Sequence, residues 1–131
     1  MIYLASPYTS PDSAVMERRY KDVSLAAHRL NKAGLPVISP ISHWHPVAVE
    51  HDLATDADTW ATINFGWLKS CKVLAILALE GWEDSKGIML EEKWANELGM
   101  PIAILRPQEK LLWEGRLKRL LKNTALISCA S

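Results

Sequence analysis

The chain has 131 residues, with 15 Lys+Arg against 15 Asp+Glu, 49% hydrophobic and 23% charged, and a pI of about 6.9. That is enough for one hydrophobic core without metal or disulfide support and too little for a second of similar weight, so residues 1–131 are expected to form a single domain. Zero formal net charge removes the broad electrostatic drive toward nucleic acid or membrane, and neither is an expected partner. Cys71 and Cys129 match no CxxC spacing, which argues against a disulfide framework or zinc knuckle and for a reducing, cytoplasmic setting. No basic leader precedes the first apolar residues, and the longest apolar run, residues 73–79, is far too short to cross a bilayer.

Short apolar runs alternate with longer segments of helical period, so the chain reads β-α-β-α-β-α-β-α. Residues 2–5 form a first strand, ended by Ser6-Pro7, and Pro11-Asp12-Ser13 supply a turn and a cap. The next helix carries Met16, Tyr20, Val23, Ala27 and Leu30 on one stripe and stops near Ala33-Gly34. Residues 36–38 give a second strand, and residues 39–59 a long connection holding every histidine except His28; a loop of that length in a small domain is usually functional. Asp58 is placed to cap a helix through Trp60, Ile63, Trp67 and Leu68, and residues 73–79 suit a covered central strand. A turn at residues 80–85 opens a helix over 86–98, closed by Gly99; a fourth strand at 101–105 and a last helix at 110–122 complete the pattern. The fold class is therefore α/β: a three-layer open parallel sheet of four to five strands with helices on both faces, flavodoxin-like or Rossmann-like. Such sheets bind ligands beyond the carboxyl ends of their strands, which directs attention to the loops after Ala5, Ile38, Leu79 and Leu105.

Within the 86–98 helix, Gly87, Ile88, Glu91, Trp94, Ala95 and Leu98 share a face, while Glu92, Lys93, Asn96 and Glu97 point away. Glu91 thus sits on the apolar stripe, where a carboxylate is costly unless it is paired, hydrogen-bonded or used in a cleft. Ser85-Lys86-Gly87 at the helix start serves equally as an ordinary cap and as a seat for a phosphate or carboxylate. Ser6-Pro7-Tyr8-Thr9-Ser10, followed by Arg18 and Arg19, can cradle an anion or sugar, but neither GxxxxGK[ST] nor GxGxxG is present. His43-Trp44-His45, read as extended, puts two imidazoles on one side near His51 and Asp52. A metal there is conceivable, but histidines lining the ligand mouth or bonding backbone are the preferred reading, and neither metal nor other cofactor is called for. Lys110, Arg116, Lys118, Arg119 and Lys122 read as a solvated flank. Trp60, Trp82 or Trp94 beside a polar cleft would suit stacking on a nucleobase, with the remaining tryptophans in the core or a dimer seam.

The succession Tyr3-Leu4-Ala5-Ser6-Pro7-Tyr8, Pro40-Ile41-Ser42-His43, then Gly81-Trp82-Glu83-Asp84-Ser85-Lys86-Gly87 and Glu91 resembles the nucleoside 2-deoxyribosyltransferase superfamily, and within it an uncharacterised bacterial and phage branch. The similarity spans roughly residues 1–106 and implies one nucleoside deoxyribosyltransferase-like domain. Its most specific part, Ser85-x-Gly87-x-x-x-Glu91, implies that Glu91 is the nucleophile that attacks the sugar C1′. Serine rather than aspartate at position 85 looks like the deoxynucleoside 5′-monophosphate N-glycosidases, in which it contacts phosphate. The resemblance therefore implies a hydrolase of nucleotide N-glycosidic bonds, with a deoxyribosyltransferase or a non-catalytic nucleotide-sensing module as the alternatives. It assigns Glu91 and Tyr8 to catalysis, Tyr8 orienting Glu91, and Ser6, Pro7, Ser10, Arg19, His43, His45, Asn64, Trp82, Ser85 and Gly87 to a small-molecule nucleotide or nucleoside. Asn64 and Lys72 stand where relatives carry acids, and asparagine cannot protonate a departing base. The family's homodimers or larger oligomers suggest that a missing group comes from a second subunit, through the tail at residues 128–131.

Overall fold

The computed structural model describes the backbone of residues 1–130 and the side chains of residues 1–56 and 58–124. Strands β1 (Ile2–Ala5), β2 (Val37–Ile38), β3 (Val73–Leu77) and β4 (Ile102–Leu105) form one parallel sheet in the order β2-β1-β3-β4. Because side chains alternate across a strand, each face collects every second residue. Ile2 and Leu4, Val73, Ala75 and Leu77, and Ala103 and Leu105 pack against Val23, Ala26, Ala27 and Leu30 of α1 (Ser13–Lys32) and Trp113 and Leu117 of α5 (Trp113–Ala130). The opposite face presents Tyr3, Ala5, Leu74 and Ile76 to Leu68 of α3 (Ala57–Lys69) and to Ile88 and Ala95 of α4 (Lys86–Glu97). The expected three-layer α/β architecture is thus present, with four strands. Each fully buried aliphatic side chain contributes about 1.5–3 kcal/mol, and the near-continuous burial of β1 and β3 makes them the centre of the core.

The caps follow local chemistry. Asp12 accepts the Ala14 N–H ahead of α1 at 2.9 Å, and Gly99, at φ 67°, takes the left-handed position after α4. Three expectations need correction. Residues 39–59 are not one loop: α2 (Pro40–His51), capped by Ser39 accepting from Ser42 N–H, occupies most of them. The cap position of α3 belongs to Asp56, while Asp58 lies in the first turn. The chain after β4 makes a 3-10 turn, Pro107–Leu112, before α5 begins at Trp113. Among the described residues no helix is long and apolar enough to cross a membrane.

Candidate active site

The chain leaves β1 toward β2 on one side and later enters β3 on the other, so the loops after β1 and β3 diverge and open a crevice at the carboxyl edge. A cavity of about 770 Å³ lies there, lined by residues 4–9, the start of α2, Trp60 and Asn64 of α3, and the turn from Gly81 into α4. The loops after Ala5, Ile38 and Leu79 line it, as expected, whereas the loop after Leu105 does not.

Glu91 lines this cavity from α4, on the same helical face as buried Ile88 and Ala95. It keeps partial exposure at the cleft, yet the protein packed around its carboxylate is that of a buried group. Burial therefore pushes its pKa up to about 7, partly offset by the Tyr3 hydroxyl. Tyr3 is fully buried. Its phenol is pushed far up by burial first and then by the Glu91 charge, and in this geometry its hydroxyl makes no hydrogen bond among the described residues. Position 3 points its side chain to the α4 face of the sheet by strand alternation, so a tyrosine in an otherwise aliphatic strand delivers one polar atom beside the acid.

The second corner is the start of α4. Ser85 Oγ accepts the Ile88 N–H at 3.2 Å and the Ser85 carbonyl accepts the Met89 N–H at 3.0 Å. The N–H groups of Lys86 and Gly87 are among those a helix start leaves open, at the positive end of the helix dipole. Arg19 clamps the two cleft loops together. Its guanidinium donates to the carbonyls of Tyr8 at 3.2 Å, Thr9 at 3.1 Å and Glu80 at 3.2 Å. Arg19 lines the cavity, but its first task is to hold these loops. Gly81 makes the approach possible: at φ 89° a Cβ would lie 2.9 Å from Arg19 Nη2. Gly81→Ala should therefore destabilise the fold by about 1–3 kcal/mol, seen as a lower melting temperature, through left-handed strain and displacement of the clamp.

A third wall comes from α2 and α3. Tyr8 Oη is 2.7 Å from His45 Nδ1, and His45 Nε2 is 2.5 Å from a Glu17 carboxylate oxygen. Trp44 stacks on Trp60 at 4.2 Å between ring centroids, with Trp67 behind it at 5.9 Å. Thr9 Oγ1 donates to the Thr55 carbonyl at 2.7 Å, and Trp60 Nε1 donates to the Ala54 carbonyl at 2.9 Å, which ties the α2–α3 connection to the cleft rim. Ser6 Oγ, Trp44 Nε1 and Asn64 Oδ1 are buried without a hydrogen-bond partner among the described residues. Buried polar atoms are rarely left so, and all three belong to residues that line the cavity.

Of the residues expected here, the cavity gathers Ser6, Pro7, Tyr8, Arg19, His45, Asn64, Ser85, Gly87 and Glu91. Ser10, His43 and Trp82 are not among its lining residues. Ser10 Oγ accepts the Asp12 N–H in a local turn, exposed His43 packs edge-on against Trp44 and Trp67, and Trp82 packs on the α4-side core. Tyr8, expected to orient Glu91, bonds His45 instead, and the hydroxyl that acts on Glu91 is that of Tyr3. Because α2 is helical, His43 and His45 point in different directions: one is exposed and the other buried. Among the described residues no group of three or more His, Cys, Asp or Glu side chains is arranged to hold a metal. Of the tryptophans expected beside the cleft, Trp60 lines it and Trp94 packs instead on Phe65, 5.0 Å away, and the core. Lys72 is exposed and does not line the cavity. The side chains of residues 128–131 lie outside the described residues.

The residues missed are Tyr3, Glu17 and, on α2, Ile41, Trp44 and Ala48 beside the expected His45. Ile41, Trp44, His45 and Ala48 all line the cavity, and their spacing of i, i+3, i+4, i+7 was the available helical signal. Glu17 had none, because its partner is 28 positions away. Among curated proteins, none matches the chain. A family profile described as Domain of unknown function (DUF1937) matches residues 1–123, and the chain belongs to that family.

Proposed function

We propose that this protein hydrolyses the N-glycosidic bond of a deoxynucleoside 5′-monophosphate through a glycosyl ester on Glu91. The observation that carries the reading is a carboxylate of raised pKa in the same cavity as a helix start, Ser85 to Gly87, whose first N–H groups are open. In this reading the 5′-phosphate sits on the open N–H groups of α4 near Lys86, and the loop after β1 contacts the sugar. The base then lies against Trp60, which suits stacking on a flat heterocycle. Glu91 attacks C1′ as the bond to the base breaks, and water then displaces the carboxylate to give the free sugar phosphate. Tyr3, whose buried hydroxyl acts on the Glu91 carboxyl, donates to the oxygen that does not attack and holds its orientation.

The test is a panel of deoxynucleoside 5′-monophosphates, including 5-modified pyrimidines, incubated with the protein and assayed for free base and deoxyribose 5-phosphate. Release with water as sole acceptor is expected. Release only when a second base is supplied makes the protein a transferase, and binding without release makes it a nucleotide-binding module.

A further inference from the structure

Glu91, as the attacking group, cannot also give a proton to the base that departs, and the amide of Asn64 cannot do so either. Besides Glu91, the acids Asp56, Asp58 and Asp84 line the cavity, and Asp56 is held below its ordinary pKa, chiefly by the Thr59 hydroxyl that donates to it. Tyr8 differs from these. Its hydroxyl belongs to a hydrogen-bonded chain that starts on the cavity and runs through His45 to Glu17. His45 is 5% exposed, whereas the Glu17 side chain is 46% exposed. The chain therefore crosses from the cleft to solvent through one buried imidazole.

The imidazole is fixed in place. Both ring nitrogens are engaged, Tyr20 stacks on one face at 4.4 Å, and Tyr8 meets the ring edge-on at 5.5 Å. A carboxylate can only accept, so the proton between His45 and Glu17 belongs to Nε2, and Nδ1 is the atom that faces Tyr8.

We propose that Tyr8, His45 and Glu17 form a proton relay that protonates the departing base and later takes the proton from the attacking water. This rests on the glycosidase reading above. In the first half-reaction the C1′–N bond breaks as the Glu91 oxygen bonds C1′. The base nitrogen or oxygen takes the Tyr8 proton, Tyr8 takes the Nδ1 proton of the His45 imidazolium, and His45 is left neutral with Nε2–H on Glu17. In the second, water bonds C1′ and the Glu91 ester bond breaks. The water proton passes to Tyr8 and the Tyr8 proton to Nδ1, which restores the imidazolium and a free carboxylate. Burial and the nearby Glu17 charge push the Tyr8 phenol up, so it stays protonated between turnovers.

The experiment compares wild type, Tyr8→Phe and Glu17→Gln across leaving groups, from ordinary bases through 5-halogenated pyrimidines to the 4-nitrophenyl 2-deoxyriboside 5-phosphate. Glu17 does not line the cavity, so loss of substrate contact cannot explain an effect of its substitution. A positioned acid is worth about 10²–10⁴-fold. Tyr8→Phe should lose about that much on ordinary bases, and Glu17→Gln should lose less. In kcat/KM, which reports the first half-reaction alone, both losses should shrink toward none as the leaving group comes to depart without a proton, with melting temperatures confirming folded variants. Equal losses on every leaving group, or no loss on any, overturn the relay while leaving the glycosidase reading intact. A wild type that releases no base from any substrate overturns both.

Discussion

Replacing Glu91 by Gln should abolish base release, by at least about 10³-fold, and at the same time make the protein more stable at neutral and alkaline pH. The loss follows from chemistry: an amide of the same shape cannot form the glycosyl ester. The gain follows from burial. A carboxyl whose folded pKa is raised from 4.5 to about 7 binds its proton more tightly in the folded protein than in the unfolded chain. Below its ordinary pKa both states are protonated and the burial penalty is absent. Stability then falls as pH rises toward 7, because the unfolded chain ionises freely and the folded protein does not, and above 7 the penalty is constant. The neutral amide removes it, so Glu91→Gln should gain on the order of 1–3 kcal/mol above pH 7 and nothing near pH 4. Melting curves at the two pH values measure this directly. Wild-type kcat/KM should also fall as pH drops through about 7, since only the carboxylate attacks. A variant that loses activity without the pH-dependent gain would place the carboxylate in open water and remove the physical basis for its reactivity.

The parts of the fold that were legible in the sequence are those whose signal is local. The runs at β1 and β3 are apolar on both faces, as central parallel strands are, and α1 and α4 have clean stripes with caps at Asp12 and Ser85. Glu91 stood out because a charge on such a stripe is an inconsistency, which the cavity it lines resolves. Helix α2 was hidden by its composition. Pro40 and Pro46 with Ser39, Ser42 and three histidines read as a loop. Proline is well placed in the first turn, however, and Pro46 removes a single backbone donor, a loss the packing of Ala48 and His45 outweighs. The link between Tyr8, His45 and Glu17 joins residues up to 37 positions apart, and nothing in a single sequence marks such a pair. Tyr3 was hidden for the opposite reason, since a tyrosine in a buried strand is ordinary until the residue facing it is known.

Ser85→Asp separates cap from ligand site and should change selectivity while leaving the fold alone. Aspartate is as good a cap as serine, and its carboxylate can accept the Ile88 N–H that Ser85 Oγ now accepts, so the unfolding free energy should stay within about 0.5 kcal/mol of wild type. The new charge, however, stands where the 5′-phosphate is proposed to sit. Two charges about 5 Å apart at an effective dielectric of about 20 repel by about 3 kcal/mol. Cleavage of 5′-monophosphates should therefore fall by about 10²-fold or more in kcat/KM, while the corresponding nucleosides, which carry no phosphate, are affected little. Ser85→Ala supplies the contrast, because it removes the cap without adding charge. It should lower stability by about 1 kcal/mol and reduce monophosphate cleavage only modestly. If Ser85→Asp instead cleaves monophosphates as wild type does, the phosphate lies elsewhere and the start of α4 is a cap alone. If it loses nucleosides and nucleotides equally, the substitution has disturbed Glu91, two turns along the same helix, and the two corners of the cavity are mechanically one.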